Sequence, residues 1–481
     1  MTDALLGELR RAAALVTDPD RVREASLDGR GRRQERALAI VRPASTEETA
    51  EVLKICARHR ARVIPQGGNT SNVEGATPDP DLTDFDAART ILLQTHRMNR
   101  ILEIDPVNNT AVVEAGVVLA DLQRAAREAG RIFPLSLAAE GSARIGGVLA
   151  TNAGGVHVLR YGSARALVLG LEVVLADGRV LNLMRALRKD NSGYDLRDLF
   201  IGSEGTLGVI TKAILKLDPA PRARRTLLLA LGRLADVETL FTRLEAHCGP
   251  ALEAFELIGR APLETVLAAE GRTAPFELTD WTVLADICTY GETPDGREDG
   301  TDDAGETALE DLLMDLMDAG TVTAGILSQS ETDAQSLWAL REGIPGAVKR
   351  AGGNVKHDVS VPRSRLVETI ERTCALLSER FPRSAPSVFG HYGDGNLHFN
   401  VGGVDSPAYA FEHEAEIRRI VHDAVPAAGG SIAAEHGVGA MKVAELERTK
   451  DAVELELMRT LKRTLDPDGV LNPGRVVRID S

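Results

Sequence analysis

The sequence has few cysteines, and no two of them stand at metal-binding spacing. Its four cysteines, Cys56, Cys248, Cys288 and Cys374, are far apart in 481 residues and form no CxxC motif. This pattern is typical of reduced thiols in a reducing compartment, and it excludes a cysteine-based zinc site.

Long apolar runs and a surplus of basic charge are also missing. No uninterrupted apolar stretch reaches the ~18 residues of a membrane-spanning helix, so we expect no membrane span. The first residues show no small-residue cleavage pattern, so we expect no secretory signal and a cytoplasmic protein. The net charge of −15 argues against nucleic acid or an anionic membrane surface as the main partner. An anionic substrate therefore needs a local cationic pocket.

The length of 481 residues predicts more than one domain. From residue 37 the pattern runs strand, helix, strand, and Pro219 and Pro221 then indicate a boundary. Beyond it, strand-like segments separated by helical ones predict an α+β domain with an antiparallel sheet. The predicted divisions are an N-terminal helix and connector, a first domain, a second domain and a helical C-terminal segment, over residues 1–36, 37–218, 219–430 and 431–481.

Short patterns predict individual elements. Ser45 and Glu48 form a capping box that opens a helix. Strands are predicted at "ARVIPQ", "TAVVEAG", "LVLGLEVVLADGRVL" and "LGVITKAILKL", with "ADG" as a hairpin turn. Residues 291–307, which are acidic and rich in glycine, are expected to form a solvated loop.

Two stretches rich in glycine indicate an anion site. They are "PQGGNTSNVEG" at 65–75 and "EGSARIGGVLATNAGGVHVLRYG" at 140–162. Glycines after a strand can direct several backbone N–H groups at one pyrophosphate, although plain tight turns would give the same pattern. Neither stretch is a GxGxxG motif in a βαβ unit with an acid about 20 residues on, which disfavours a nicotinamide dehydrogenase.

Two further stretches contain candidate metal ligands. In "GHYGDGNLHFN" at 390–400, a strand–turn–strand can bring His391 and His398 together, and Glu435 in "AAEHGVG" supplies an oxygen from another element. Two imidazoles and one carboxylate leave open positions on a zinc-like ion, as in catalytic sites. The alternative is that these histidines only make hydrogen bonds.

Seven motifs in order resemble a known family. They are "PQGGNT", "GSARIGG", "ATNAGG", "LRYG", "LGLEVVLADG", "LRKDNSGYDLRDLFIGSEGTLGVIT" and "LDPDGVLNP". From about residue 37 onward the chain resembles the FAD-linked oxidases of the vanillyl-alcohol oxidase type, in the D-2-hydroxyacid dehydrogenase branch. The resemblance implies an α+β chain in which a two-subdomain PCMH-type FAD-binding domain is followed by a substrate (cap) domain, and the C-terminal segment returns to the FAD domain.

The same resemblance implies the flavin-binding residues. We expect FAD to be bound non-covalently. Glu74 stands where the family has a glycine, so its side chain is expected either to turn outward or to weaken FAD binding. The implied FAD-binding residues are Pro65, Gly67, Gly68, Asn69, Thr70, Ser142, Gly146, Gly147, Asn152, Gly154, Gly155, Gly205, Ile210 and Asn472.

The histidine stretches match the metal motifs of this family. The resemblance implies that His391, His398 and Glu435 bind zinc, with manganese or cobalt as alternatives. His436 is implied as the general base that takes the proton of the substrate hydroxyl, and Asn400 as a substrate-binding residue that orients the substrate. The α-hydrogen then leaves as hydride for FAD.

The substrate implied by the resemblance is a 2-hydroxy acid with a second carboxylate. Arg341 and Lys356 match the positions that bind this carboxylate. The expected reaction is oxidation of D-2-hydroxyglutarate to 2-oxoglutarate, with D-lactate, glycolate or D-malate as alternatives because Pro345 replaces a usual threonine. Expected electron acceptors are an electron-transfer flavoprotein, a quinone or cytochrome c. The oligomeric state stays open, with a homodimer among the options. A flavin-free metal-dependent hydrolase and a non-catalytic oxidase subunit are the other hypotheses.

Overall fold

The chain forms two compact units. The computed structural model describes residues 2–28, 36–79, 86–290 and 303–479. The first unit comprises Met1–Gly154, Gly162–Pro219 and Glu435–Ser481, and the second comprises Gly155–Tyr161 and Ala220–Ala434. Residues 155–161 therefore belong to the second unit, although the segments before and after them belong to the first. The sequence did not indicate this. Among the described helices, none is long and apolar enough to cross a membrane.

The first unit is built around two larger sheets, and its elements are numbered along the whole chain. Its described helices are α1 (Thr2–Ala12), α2 (Pro19–Ser26), α3 (Thr46–Arg58), α4 (Leu119–Glu128), α5 (Ile145–Ala150), α7 (Arg197–Phe200), α15 (Val443–Thr449) and α16 (Ala452–Leu465). Its described strands are β1 (Ala14–Val16), β2 (Ala39–Arg42), β3 (Arg62–Gln66), β4 (Thr90–Gln94), β5 (Ile101–Asp105), β6 (Thr110–Glu114), β7 (Arg131–Ile132), β8 (Val168–Val174), β9 (Val180–Asn182), β10 (Val209–Lys216) and β11 (Asp218–Pro219).

The two sheets differ in strand direction. One has the order β1-β2-β4-β3, in which β2, β4 and β3 are parallel and β1 is antiparallel. The other has the order β5-β6-β10-β8-β9 and is antiparallel throughout. Strands β7 and β11 form a separate short pair.

Helix α3 shows how the sequence positions the first glycine loop. The Ser45 hydroxyl accepts the N–H of Glu48 at 3.2 Å, and the Glu48 carboxylate accepts the N–H of Ala44 at 2.8 Å. The predicted cap is thus present, with the returning bond one residue earlier than in a capping box. Leu53 of this helix is fully buried in one core with Val63 of β3. This packing holds β3, and the first glycine loop follows directly from it.

The second unit is one large antiparallel sheet with helices on both faces. The sheet order is β15-β12-β14-β13-β17-β18-β16. Its described helices are α6 (Val158–Tyr161), α8 (Asp236–Cys248), α9 (Arg260–Glu270), α10 (Asp303–Asp318), α11 (Glu331–Arg350), α12 (Arg363–Arg380), α13 (Pro407–Glu412) and α14 (Glu414–Ala427). Its described strands are β12 (Ala223–Leu231), β13 (Leu252–Gly259), β14 (Trp281–Thr289), β15 (Val322–Leu327), β16 (Asp358–Ser360), β17 (Ser384–His391) and β18 (Asn396–Gly403).

Strand β13 lies in the middle of this sheet and separates two cores. Phe255 and Leu257 point into the larger core, which helices α8, α10, α12 and α14 complete. Ala254 and Ile258 point into the core on the other face, with α9 and α11. Because side chains alternate along a strand, Glu256 faces the α9 and α11 layer.

Most predicted elements are confirmed, with two corrections. The predicted strands appear as β3, β6, β8, β9 and β10, and the predicted antiparallel sheet is present in the second unit. The N-terminal part is not one helix and a connector, since α1, β1 and α2 occupy it. Of the expected acidic loop, residues 291–302 lie outside the described residues, and the rest begins α10.

Candidate active site

The two glycine loops of the first unit pack against each other with no room for side chains between them. A Cβ atom on Gly68 would lie 2.0 Å from the carbonyl oxygen of Ser142, and one on Gly67 would lie 3.4 Å from the Cα atom of Gly147. Loops in this arrangement leave backbone N–H groups uncovered, and such groups bind anions. The two packed glycine loops therefore suit the diphosphate of a dinucleotide cofactor.

A cavity of the first unit brings together many of the residues expected to bind flavin. Glu435 and His436 also line it. The structure thus collects residues that are up to 371 positions apart in sequence around one space, from Pro65 to His436. Contact of each residue with FAD stays a prediction. The expected residues that line the cavity are Pro65, Gly67, Gly68, Asn69, Thr70, Gly146, Gly147, Gly154, Gly205 and Ile210.

Three other expected flavin ligands lie elsewhere. Ser142 is exposed, Asn152 does not line the cavity, and Gly155 belongs to the second unit. The Oδ1 atom of Asn152 accepts the hydroxyl of Ser163 and the backbone N–H of Arg165, both at 2.9 Å. Asn152 therefore holds the chain that follows the second loop.

Asn472 ties two segments of the cavity wall together. Its Nδ2 group donates to the carbonyl of Gly75 at 2.9 Å and to the carbonyl of Glu204 at 2.7 Å. Asn472 is 1% exposed and is not among the residues that line the cavity. The structure therefore gives Asn472 a scaffolding role beside the first loop.

Glu204 lines the cavity, and the sequence analysis missed it. Its two carboxylate oxygens accept the backbone N–H groups of Val438 and Gly439 at 2.7 and 2.8 Å. Burial raises the pKa of Glu204 above its usual value, against the effect of these two hydrogen bonds. The contact holds the turn that carries His436. The signal in sequence was an acid inside the glycine-rich "GSEGTLG" motif.

The predicted histidine hairpin is present in the second unit. His391 ends β17, His398 lies in β18, and the ring centroids of the two are 5.7 Å apart at nearly a right angle. Gly395 has φ of +87°, a conformation that glycine adopts without strain, and this closes the short turn. The strand–turn–strand therefore brings the two imidazoles together, as the sequence predicts.

Glu435 completes a set of three possible metal ligands. His391, His398 and Glu435 each offer one ligand atom, and these atoms lie within 4.8 Å of one another. Two imidazoles with one carboxylate is a donor set that suits zinc and similar divalent ions and leaves positions open for a substrate.

A buried carboxylate supports this set, and the sequence analysis missed it too. Glu256 is fully buried, and the Nδ1 atom of His391 donates to its Oε1 atom. The Nε atom of Arg341 donates to Oε2 of the same carboxylate at 2.6 Å. Burial alone would raise the pKa of Glu256, but the charges and hydrogen bonds of His391 and Arg341 lower it to about 2.

Two family descriptions match most of the chain. The FAD binding domain matches residues 37–184, and the C-terminal domain of FAD-linked oxidases matches residues 220–476. The chain belongs to the FAD-linked oxidase family. It is therefore a flavoprotein oxidoreductase that acts on a CH–OH donor, as the sequence predicts.

Relatives within the FAD-linked oxidase family cover the chain almost completely. It is 39% identical to the mitochondrial D-2-hydroxyglutarate dehydrogenase of Bos taurus, over 96% of this chain and 81% of the relative. It is 38% identical to the D-2-hydroxyglutarate dehydrogenase of Xanthomonas citri pv. viticola, over 99% of this chain and 97% of the relative.

Solved structures confirm the α+β fold with a PCMH-type flavin domain. p-Cresol methylhydroxylase superposes with a TM-score of 0.74 at 17% identity, over 98% of this chain and 96% of that one. Alkyldihydroxyacetonephosphate synthase superposes with a TM-score of 0.71 at 18% identity, over 98% of this chain and 84% of that one.

Glu74 is the departure from the FAD-linked oxidase pattern in the first loop. Its side chain is only 5% exposed, so it does not turn out into solvent, and its effect on FAD binding stays a prediction. Glu74 has φ of +59° and does not line the cavity. Its backbone carbonyl accepts an N–H of Arg475 at 3.2 Å. The first loop therefore contains a buried glutamate that is not part of the cavity wall.

Arg341, which is expected to bind a substrate carboxylate, is buried beside Glu256 and Phe389. It is 6% exposed, and its guanidinium carbon lies 4.9 Å from the ring centroid of Phe389. Within the described chain only its Nε group is hydrogen-bonded, to Glu256, which leaves its two Nη groups for a ligand. Pro345 lies one helical turn further along α11 and is exposed. Having no N–H, it cannot donate to the Arg341 carbonyl four residues earlier.

The other residues expected to act on the substrate are Lys356, Asn400 and His436, and they differ in burial and in hydrogen bonding. Lys356 is exposed and lies two residues before β16, which begins at Asp358. Asn400 is buried and its Oδ1 atom accepts the N–H of His357 at 3.1 Å. The Nε2 atom of His436 lies 3.6 Å from a carboxylate oxygen of the preceding glutamate. Their roles stay predictions.

Proposed function

We propose that this FAD-linked oxidase is a metal-dependent D-2-hydroxyglutarate dehydrogenase that produces 2-oxoglutarate. The observation that carries the proposal is the identity of 38% and 39% with two enzymes of that name over at least 96% of this chain. The His391, His398 and Glu435 donor set supports a metal, and the free Nη groups of Arg341 support a second substrate carboxylate.

The two bound groups supply the chemistry that side chains lack. FAD, held by the two glycine loops, would supply an acceptor for the hydride that leaves C2 of the hydroxy acid. A divalent metal at His391, His398 and Glu435 would supply a Lewis acid that makes the substrate hydroxyl more acidic. Zinc, manganese and cobalt all accept two imidazoles and a carboxylate, so the ligands do not discriminate among them.

The side chains of the protein bind the substrate and move one proton. His436 takes the hydroxyl proton at Nε2, so that the carbon–oxygen bond gains double-bond character as the hydride departs. Arg341 binds the distal carboxylate with its two Nη groups, and Lys356 adds a positive charge. The amide of Asn400, whose Oδ1 atom is held by His357, donates from Nδ2 to the substrate.

Several features of the proposed activity stay predictions. We expect an electron-transfer flavoprotein, a quinone or cytochrome c as the electron acceptor, a cytoplasmic location, and a homodimer among the options for assembly. D-lactate, glycolate and D-malate stay alternatives for the substrate, since Pro345 stands where the family resemblance implies a threonine.

The proposal is tested by anaerobic reduction of the flavin. We expect D-2-hydroxyglutarate to bleach the flavin absorbance, while L-2-hydroxyglutarate leaves it unchanged and D-lactate reduces it more slowly. D-lactate is the informative control because it has the same reacting carbon but no distal carboxylate. Faster bleaching by D-lactate or glycolate than by D-2-hydroxyglutarate would contradict the substrate assignment and leave the oxidoreductase class intact.

A further inference from the structure

Glu256 is a buried carboxylate between two residues of the proposed site. It lies on β13, directly opposite His391 of β17 in the sheet register. One of its oxygens accepts from Nδ1 of His391 and the other accepts from Nε of Arg341 at 2.6 Å. The side chain is 0% exposed, so water cannot replace either contact.

The chemistry of these groups decides which nitrogen of His391 carries the proton. An ionised carboxylate only accepts hydrogen bonds, so Nδ1 must be the donor. A neutral imidazole has a single N–H, and Nε2 therefore carries the lone pair. A metal ligand needs that lone pair. The same logic does not constrain Arg341, whose guanidinium keeps its proton at Nε in every state.

We propose that Glu256 is a positioning residue that keeps the proton of His391 on Nδ1 and so reserves Nε2 for the metal ion. This inference deepens the proposed function and rests on it. Arg341 holds the second oxygen of the carboxylate and thereby fixes the plane in which Glu256 meets the imidazole.

Replacing Glu256 by glutamine tests this role with almost no change in shape. The amide has one oxygen and one NH2 group, but both neighbours are donors. Arg341 cannot lose its proton, so the amide oxygen turns to Arg341 and the NH2 group turns to His391. His391 must then accept at Nδ1 and protonate Nε2, which blocks the metal. We expect Glu256→Gln to weaken zinc binding by about 10- to 100-fold.

Glu256→Asp separates this role from simple packing. Aspartate leaves a gap in the core, but as a carboxylate it still keeps the proton on Nδ1. If Glu256 directs the proton, aspartate preserves zinc affinity better than glutamine does. If Glu256 only fills space and pairs with Arg341, the isosteric glutamine is the milder change.

Asp286 provides the matched control. It is a second buried carboxylate on the same face of the same sheet, 1% exposed, and it accepts from Thr226 at 2.6 Å and from Trp338 at 2.9 Å. Asp286→Asn therefore repeats the chemical change without touching His391. We expect this variant to bind zinc as the wild type does.

The measurement is zinc affinity of the FAD-loaded protein, obtained by dialysis against graded free zinc and metal analysis. FAD absorbance and thermal melting without zinc report whether each variant is folded. The inference is supported if zinc affinity is lowest in Glu256→Gln, intermediate in Glu256→Asp and highest in the wild type, and if Asp286→Asn binds zinc as the wild type does. If Glu256→Gln binds zinc as tightly as the wild type does, or if Glu256→Asp loses more affinity than Glu256→Gln, the role of Glu256 is overturned. The proposed function is not affected by either result.

Two further outcomes are decisive. A wild-type protein that retains no zinc, manganese or cobalt overturns the metal in the proposed function, and this inference with it. If Glu256→Gln does not fold, the double variant Glu256→Met, Arg341→Met replaces it, because apolar substitutes for a buried ion pair commonly fold. In the double variant no carboxylate holds the proton of His391 on Nδ1, so either ring nitrogen can carry it and zinc affinity must fall. Unchanged affinity there also overturns the inference.

Discussion

Gly68→Ala should separate the two glycine loops and abolish tight FAD binding. The added Cβ atom would lie 2.0 Å from the carbonyl oxygen of Ser142 and 2.8 Å from its carbonyl carbon. Ordinary non-bonded contacts are about 3.5–4.0 Å, so the loops must move apart by more than about 1 Å. Overpacking of this kind costs about 1–3 kcal/mol. If the bound state carries that cost, the FAD dissociation constant rises by roughly 5- to 150-fold.

Gly67→Ala is the matched control one residue earlier in the same loop. Its Cβ atom would lie 3.4 Å from the nearest backbone atoms of Gly147, which is at the edge of normal contact. Neither glycine has a positive φ, so backbone strain does not distinguish the two variants. The assay is titration of the flavin-free protein with FAD, followed by flavin fluorescence. Equal FAD affinity in both variants, whether high or low, would refute the reasoning.

The remaining predictions concern the metal, the base and pH. Prolonged dialysis against a chelator should stop flavin bleaching by substrate and leave the flavin spectrum, and added zinc, manganese or cobalt should restore bleaching in the wild type but not in a His398→Ala variant. His436→Ala should slow flavin reduction by about 10²- to 10⁴-fold at unchanged FAD content, and reduction near the wild-type rate would disprove its role as base. Glu256 has a folded-state pKa of about 2, below its unfolded value of 4.5, so its contribution to stability is complete above pH 4.5 and is lost as pH falls towards 2. Urea unfolding across this range should therefore show a steeper loss of free energy in the wild type than in Glu256→Gln, and parallel curves would contradict the assignment.

The overall negative charge of the protein bears on the two cations predicted to bind the substrate, Arg341 and Lys356. A net charge of −15 requires that an anionic substrate be bound by a local cation. Arg341 stays the predicted cation, and it is buried with its two Nη groups unbonded within the described chain. Lys356 is exposed, and its contribution to such a pocket stays a prediction.

Local patterns in the sequence were enough to predict the parts of the site that lie close together along the chain. The glycine loops follow from strand-to-turn patterns, and the His391 and His398 pair follows from two short strands around a turn of a few residues. Each depends on hydrogen bonding and steric rules that act within about ten residues. The family resemblance then connected these parts to FAD and to a 2-hydroxy acid.

Only the tertiary structure decided which acids support the site. Glu256 is 135 residues from His391, and Glu204 is 234 residues from the N–H of Val438 that it accepts. Glu256 has no motif around it, and the glycine-rich motif around Glu204 does not indicate its partner, because each role comes from being buried opposite a donor on a distant segment. A carboxylate is stable in such a place only when folding supplies its partners, and those partners are set by strand register and packing, which short patterns along the chain do not encode.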